Sequence, residues 1–512
     1  MQPSNRRAAA WTLGLVSAVL FMVTLDNLVV TTALPQIRVD LGAGLSGLEW
    51  IVNSYTLSFA VLLMTGAALG DRFGRRRMLV IGLGIFTAAS AAAALAPSTG
   101  ALIAARALQG VGGALTLPLT LTLLSEAFPA GQRGVALGIW SGISGLGVAL
   151  GPVVGGAVVQ GLSWQWIFWL NVPIGLVTMP LAARALRESR GPATRLDLPG
   201  LALATAGMFG LVFGLVRGNA HGWTSPAIVA SLAAGAALTL AFLAWERRAA
   251  EPMLPLHVFK IRNFWVTMVL TTFVGLGLFG AMTFIPLYQQ TVQGASPTVS
   301  GLLMTPMMVG SALTSVLAGA LTTKTGKYKL FPIVGGAVMA VGMFLLTGLN
   351  VGTTRWETAI DFSVLGLGMG LLMQMMSLIA QNSVELKDMG VATSARMFFQ
   401  QMGGSLGVAA FGAVFASRLN SFMDSATPAG SSGTLHVSGS FDPAQVASLP
   451  PAVQQVVFHA VAHGVQAVFW AVLPASVLVF VLALFIKEVP LRGRSTPGEE
   501  AAPAPEAEAL IG

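Results

Sequence analysis

Apolar residues in this chain occur in long uninterrupted runs and do not alternate with polar ones. Runs of about 18 to 25 residues, enough for a helix to cross hydrocarbon, recur along the chain. They lie at roughly 11–35, 48–70, 78–97, 101–124, 134–160, 164–184, 198–217, 226–245, 263–288, 298–322, 330–349, 356–380, 395–417 and 465–486. The pattern predicts fourteen membrane-spanning helices, since a backbone in lipid must satisfy its own hydrogen bonds. A membrane β-barrel would need short alternating strands instead. The first run follows Arg6 and Arg7, and a twin-arginine export signal is one reading of that pair. The run is too long for a signal-peptide core, no small-residue cleavage site follows it, and Asp26 lies inside it. It reads as a retained span.

Composition agrees with the pattern. Charged residues make up 9% and hydrophobic ones 54%, where a soluble protein carries about 25% charge. Mean hydropathy is +0.76. The net charge of +8 sits in short clusters between apolar runs, which argues for membrane flanks and against nucleic acid. With a cytoplasmic N-terminus, only Arg38, Arg217, Arg355 and Arg418 of the 28 Lys and Arg residues fall outside, and Arg106 lies within a span. That bias supports an even number of spans with both termini cytoplasmic. The absence of cysteine excludes disulfides, thiolate metal sites and cysteine nucleophiles. Glycine-rich stretches such as GVGGAL lack the Lys-Ser/Thr of a phosphate loop, so ATP is not expected and energy must come from an ion gradient or another subunit.

Between the runs, 185–197 is basic, 246–262 is a mixed segment with two prolines, and 418–464 is a long outer loop. Its end, roughly 443–464, has the periodicity of an amphipathic surface helix. From Ser495 the chain is Pro, Ala and Glu and reads as disordered. GAALGDRFGRRRM at 66–78 is echoed by GALTTKTGKYK at 319–329, the kind of internal repeat that duplicated transporter halves produce. The expected organisation is a six-span bundle over 1–184, a two-span linker over 185–262, a second six-span bundle over 263–494 and a tail over 495–512.

The charges left inside or beside the spans are the candidate machinery. In GAALGDRFGRRR, Gly66, Gly70 and Gly74 allow close approach and a positive φ. Asp71 can accept bonds from a neighbouring helix N-terminus, and Arg72, Arg75 and Arg76 can pair with acids or lipid phosphates. Arg106 within a span costs several kcal/mol unless it meets a partner or water. Asp26 lies in the same outer half of the membrane, within reach of a common cavity, and either couples protons or forms a static ion pair with Arg106. Asp361, with Glu357 one turn earlier, is a second acid for a proton or a cationic cargo, or simply a hydrated helix end. Gly147, Gly151 and Gly155, with Pro152 and Gly156, place small residues on one face and a kink in the fifth span. His459 and His463 are four residues apart but lack a third ligand, so no metal site is expected. The many Met and Phe residues, Met304, Met307, Met308, Met369, Met373, Met375, Met376, Phe279 and Phe284 among them, suit a core or an adaptable cavity.

Taken in order, these motifs resemble a known family. GAALGDRFGRRR resembles the signature loop of the major facilitator superfamily, LIAARALQGVGGAL at 102–115 its fourth-helix motif around Arg106, Gln109 and Gly110, and GISGLGVALGPVVGG at 142–156 the antiporter motif of its exporters. LDNLVVTTALP at 25–35, WQWIFWLNVPIG at 164–175, FFQQMGGSLGVAAFGAVF at 398–415 and KEVPLRG at 487–493 resemble the fourteen-span drug:proton antiporters of the QacA/EmrB type. The resemblance implies an all-α fold of two six-helix bundles plus two linking helices. It also implies a monomeric inner-membrane exporter of hydrophobic or cationic drugs, driven by a proton gradient without any cofactor. Asp26, Arg106 and Asp361 would then couple protons, and Glu126 and Arg133 would join Asp71, Arg72 and Arg76 in a network closing the cytoplasmic side. A nutrient symporter and a non-transporting membrane receptor or scaffold are the alternatives. Two departures stand out: Gln400 occupies a position where relatives carry arginine, with Arg396 one turn earlier, and Thr323 stands where the first half has Asp71.

Overall fold

The computed structural model describes residues 3–191, 197–249, 254, 256–385, 388–426 and 450–491. Their regular structure is entirely helical: α1 (Pro3–Leu41), α2 (Leu45–Phe73), α3 (Arg75–Ala94), α4 (Thr99–Ala127), α5 (Ala130–Gly161), α6 (Gln165–Trp169), α7 (Asn171–Ala185), α8 (Leu198–His221), α9 (Pro226–Glu246), α10 (Arg262–Thr291), α11 (Pro297–Thr325), α12 (Leu330–Leu346), α13 (Arg355–Ser383), α14 (Met389–Ala426) and α15 (Pro451–Leu484), with a 3-10 turn at Leu256–Lys260. By length and hydropathy, the described helices supply eleven candidate membrane spans, α6 and α7 together counting as one, or twelve with the bent α2, and α12 is a shorter apolar helix. Their outward faces are apolar: Leu240, Leu313 and Trp356 are more than half exposed, as lipid contact requires.

Helix ends follow local chemistry. Ser98 and Ser296 cap α4 and α11, and Thr354 with Glu357 forms a complete capping box on α13. Gly74 and Gly326 end α2 and α11 at φ +106° and +76°, conformations open to glycine at little cost. Prolines inside α4, α10, α11 and α15 are tolerated because neighbouring helices shield the freed carbonyls.

The sixth run forms one candidate span over Gln165–Ala185, with α6 and α7 meeting at Leu170, whose backbone stays helical at φ −57° and ψ −33°. One expectation changes here. The surface helix expected at the end of the outer loop is, from Pro451 onward, the first turns of α15, which is continuous to Leu484. Nothing interrupts its periodicity, and Gly464 lies against the Phe415 ring. Positions 443–449 and the tail 495–512 lie outside the described residues.

Packing arranges the helices into two sets. In one, α4 packs on α2, α3 and α1, and α7 on α3 and α1; in the other, α13 packs on α11 and α12, while α10, α14 and α15 pack on one another. The paired helices α8 and α9 stand beside them, with α8 touching both α2 and α14. Helix α5 serves both sets. Along its first half, Gly134 and Gly138 face Gly319 and Ser315 of α11; along its second half, Gly147, Gly151 and Gly155 face α1. At the end of the molecule that carries the 66–78 loop, Gln374 Nε2 donates to the Gly134 carbonyl at 2.7 Å and Ser125 Oγ meets Gln381 Oε1 at 2.8 Å. Both bonds join one set to the other. The sets therefore close on each other at that end.

Candidate functional site

Asp26 lies midway along α1 and Arg106 two turns into α4, and their side chains meet in the interior of the first set. Arg106 Nη1 donates to Asp26 Oδ2 at 2.5 Å and to Gln109 Oε1 at 2.9 Å, while Nε reaches the Ile51 carbonyl at 3.3 Å. Gln109 Nε2 donates to Asp26 Oδ1 at 3.1 Å and to Ser90 Oγ at 2.7 Å. Asn171, the first residue of α7 after the break at Leu170, donates to Asp26 Oδ1 at 2.6 Å. The Tyr55 ring lies 4.4 Å from the guanidinium carbon. None of these polar side chains is more than 2% exposed. The expected pair is therefore present, but as a closed cluster of five helices and not beside a shared open cavity. Each carboxylate oxygen is bonded, which is what permits a charge at this depth.

Asp361 is not part of this cluster. It is half-buried on α13 and makes no described hydrogen bond or ion pair. Glu357, one turn earlier on the same helix, is exposed and occupied by capping: its carboxylate accepts from the Thr354 backbone N–H at 2.7 Å.

The signature loop forms a second cluster. Gly66 and Gly70 bring α2 against Ala114 and Leu119 of α4. Asp71 accepts from Arg75 Nε at 2.8 Å, and Arg75 Nη1 bonds Glu126, whose other oxygen accepts from Ser189 Oγ at 2.6 Å. Arg75 is the hub, and it is 3% exposed. The resemblance had assigned the partnership to Arg72 and Arg76, but Arg72 lies over the Phe73 ring and Arg76 pairs with Glu188 at 3.4 Å. Arg133 turns to the Phe128 carbonyl and to Met389 Sδ. A Cβ at Gly390, in the first turn of α14, would lie 2.7 Å from Asp71 Oδ2. The carboxylate thus sits at the positive end of a helix from the other set, an attractive placement. In the second-half loop, Thr323 donates to Gly319 and the contact there is glycine against glycine, Gly319 on Gly134.

The fifth-span glycines make close contacts. A Cβ on Gly151 would lie 2.7 Å from Leu28 Cβ, Gly147 faces Phe21 and Thr24, Gly155 meets Val29 and Thr32, and Gly156 is half-buried. Helix α5 runs unbroken through position 152. His459 bonds the Gln455 carbonyl and His463 stacks on Phe422, and no group of metal ligands occurs among the described residues.

Between the two sets lies a cavity of about 130 Å³. Its walls come from α5 (Trp140, Ser141, Ser144, Gly145), α10 (Leu278, Met282), α11 (Met307, Met308, Ser311, Ser315), α13 (Met369, Met373, Ser377) and α14 (Arg396). Four of the methionines picked out in the sequence are here; Met304, Met375 and Met376 are buried elsewhere. Among the described residues no carboxylate lines the cavity, so a cationic cargo would find no countercharge from them there. Arg396 is its one ionisable lining residue among those described, and Gln400 accepts from its Nη1 at 3.0 Å. Asn171, Ser90, Glu188 and Arg396 are the residues that reading the sequence did not assign. Two of them carried a signal, Asn171 by its place in WQWIFWLNVPIG and Arg396 by standing one turn before Gln400, where relatives carry arginine.

A helical protein with an apolar exterior, buried charge clusters and a central cavity between two helix sets defines a polytopic membrane transporter. The Major Facilitator Superfamily model matches residues 16–408. The multidrug transporter protein MdtP of Bacillus subtilis is 36% identical over 408 residues, covering 79% of this chain and 75% of that one. The tetracenomycin C resistance and export protein of Streptomyces glaucescens is 34% identical over 455 residues, covering 88% and 84%. In fold, the chain is similar to the proton:xylose symporter XylE, with a TM-score of 0.64 at 17% identity over 95% of this chain and 98% of that one. The chain belongs to the major facilitator superfamily. It is a multi-pass transporter of the cell membrane, not an enzyme.

Proposed function

We propose that this protein exports hydrophobic drugs or secondary metabolites from the cytoplasm in exchange for protons, by alternating access. The reading takes the chain as a monomeric fourteen-span antiporter of the QacA/EmrB type, with both termini and the 66–78 loop cytoplasmic and with no cofactor beyond the proton gradient. The observation that carries it is the central cavity, bounded by helices of both sets and closed at the loop end by Gly134, Gly319 and Gln374. A site closed on one side by separable packing is what alternating access requires. The name of the tetracenomycin C resistance and export protein supports export as the direction.

Asp26 would carry the proton. Its carboxylate accepts three hydrogen bonds from Arg106, Gln109 and Asn171, so protonation would remove an acceptor and rearrange α1, α4 and α7 together. The Asp71–Arg75–Glu126 cluster, resting on the α14 terminus, would hold the cytoplasmic side shut.

The test loads de-energised cells with the neutral lipophilic dye Nile red and then restores energy. Expulsion by expressing cells, stopped by a protonophore and by Asp26→Asn, is the expected result. Accumulation on re-energising would indicate a symporter, and full proton-driven expulsion by Asp26→Asn would remove Asp26 from coupling.

A further inference from the structure

We infer that the central cavity selects compounds bearing an anionic or strongly hydrogen-bond-accepting oxygen group, which Arg396 and Trp140 bind. The inference rests on the export reading for its biological sense, and it names the substrate class of that same cavity.

The cavity is lined by donors that lack acceptors. Arg396 is 4% exposed, forms no ion pair among the described residues, and its buried Nε has no hydrogen-bond partner. Trp140, 6% exposed, lines the same space from α5, and its buried indole Nε1 also has none. Both groups can only donate. Ser141, Ser144 and Ser311 add hydroxyls with no described side-chain bond. The one described acceptor for the guanidinium is the neutral Gln400 amide oxygen. Contrast Arg106, a buried arginine of similar depth, which has Asp26 against it.

A buried guanidinium without a counter-ion is costly, and a buried donor left unmade adds to that. An ionised oxygen group entering the cavity would relieve both, accepting charge-assisted bonds from Arg396 and a neutral one from Trp140. A cation entering the same space would meet an uncompensated positive charge in a low-dielectric surround. The methionine walls supply the rest of the fit. At about 130 Å³ the cavity holds an acidic head group as it stands, below the roughly 300–1,000 Å³ of drug-sized sites. Unbranched Met307, Met308, Met369 and Met373 can move aside for the hydrophobic body behind it.

The experiment measures equilibrium binding to the purified full chain in neutral detergent at low salt, with no gradient present. Two xanthene dyes of related skeleton serve as probes: the carboxylate fluorescein and the cationic ester rhodamine 6G. Fluorescein is expected to bind about tenfold more tightly, as one charge-assisted bond implies. Arg396→Gln should abolish that preference while leaving rhodamine 6G binding unchanged or stronger, and Arg396→Lys should keep it. Trp140→Phe should weaken fluorescein roughly threefold, a neutral bond's worth. If Arg396→Gln does not fold, the Lys and Phe variants decide, since each retains the cavity's bulk. Tighter binding of rhodamine 6G by the native protein, or an undiminished fluorescein preference in Arg396→Gln, would overturn the inference. So would loss of that preference in Arg396→Lys. Because Nile red is neutral and its expulsion is measured in cells, failure of the export reading is recorded separately from failure of this one.

Discussion

A charge buried among apolar helices is stable only if every partner is in place, and Asp26 shows what that requires. Its two oxygens receive Arg106, Gln109 and Asn171, each on a helix it reaches only after the bundle has assembled. Removing Arg106 would strand the carboxylate, so Arg106→Ala is expected to destabilise the protein by about 3–5 kcal/mol, read as a large fall in Tm in detergent. Adding Asp26→Asn to that variant should recover part of the loss, because the stranded charge goes with it. Asn171→Leu removes one neutral donor and should cost less, about 1–3 kcal/mol. Asp26 and Arg106 were legible in the sequence because a charge inside an apolar run is conspicuous. Neutral Gln109 was marked only by its place in the fourth-helix motif and Ser90 by nothing, and the register of α3 on α4 makes them partners.

Single helices acquire their roles from where small residues fall along them. In α5 the glycines face two different neighbours, α11 over the first half and α1 over the second. Gly151→Val is expected to wedge α5 from α1, since even a Cβ there would lie 2.7 Å from Leu28 Cβ, and overpacking of this kind costs about 1–3 kcal/mol. Gly161→Ala, with nothing within 4 Å of its Cβ, should leave the Tm unchanged. Gly134→Val is a different case. It obstructs the contact with Gly319, where the two sets meet, and should impair transport far more than stability, as dye expulsion and thermal unfolding on the same preparation would show. The sequence announces such glycines by their spacing. It does not say which neighbour each one meets, because two helices can exchange faces without any change in period.

At the scale of the whole molecule, the two sets touch at the loop end through α2, α4 and α5 on one side and α11, α13 and α14 on the other. Export by alternating access requires that contact to part in every cycle. The chain has no cysteine, so a thiol cross-link placed across it would report without background. Ser125→Cys with Gln381→Cys, replacing side chains whose polar atoms lie 2.8 Å apart, should be joined by a short bis-methanethiosulfonate linker that spans the length the Gln side chain leaves, stop dye expulsion and release it on reduction. Continued expulsion by fully cross-linked protein would mean that this contact does not open. The helix α8, against both α2 and α14, must then accommodate the same movement.

Length and hydropathy of the runs determined by themselves that this is a helical membrane protein, because lipid allows the backbone few other solutions. The scarcity of charge inside those runs singled out Asp26 and Arg106, and the ordered motifs identified the superfamily. Tertiary structure alone decided which arginine joins Asp71 to Glu126, that Glu357 is occupied in capping, and that Asp26 is enclosed. It also decided that Arg396 faces the central cavity without a counter-ion. The physical reason is the same throughout. Helical period places a side chain on a face, whereas its partner depends on the rotation and depth of another helix, which the packing of the whole bundle sets.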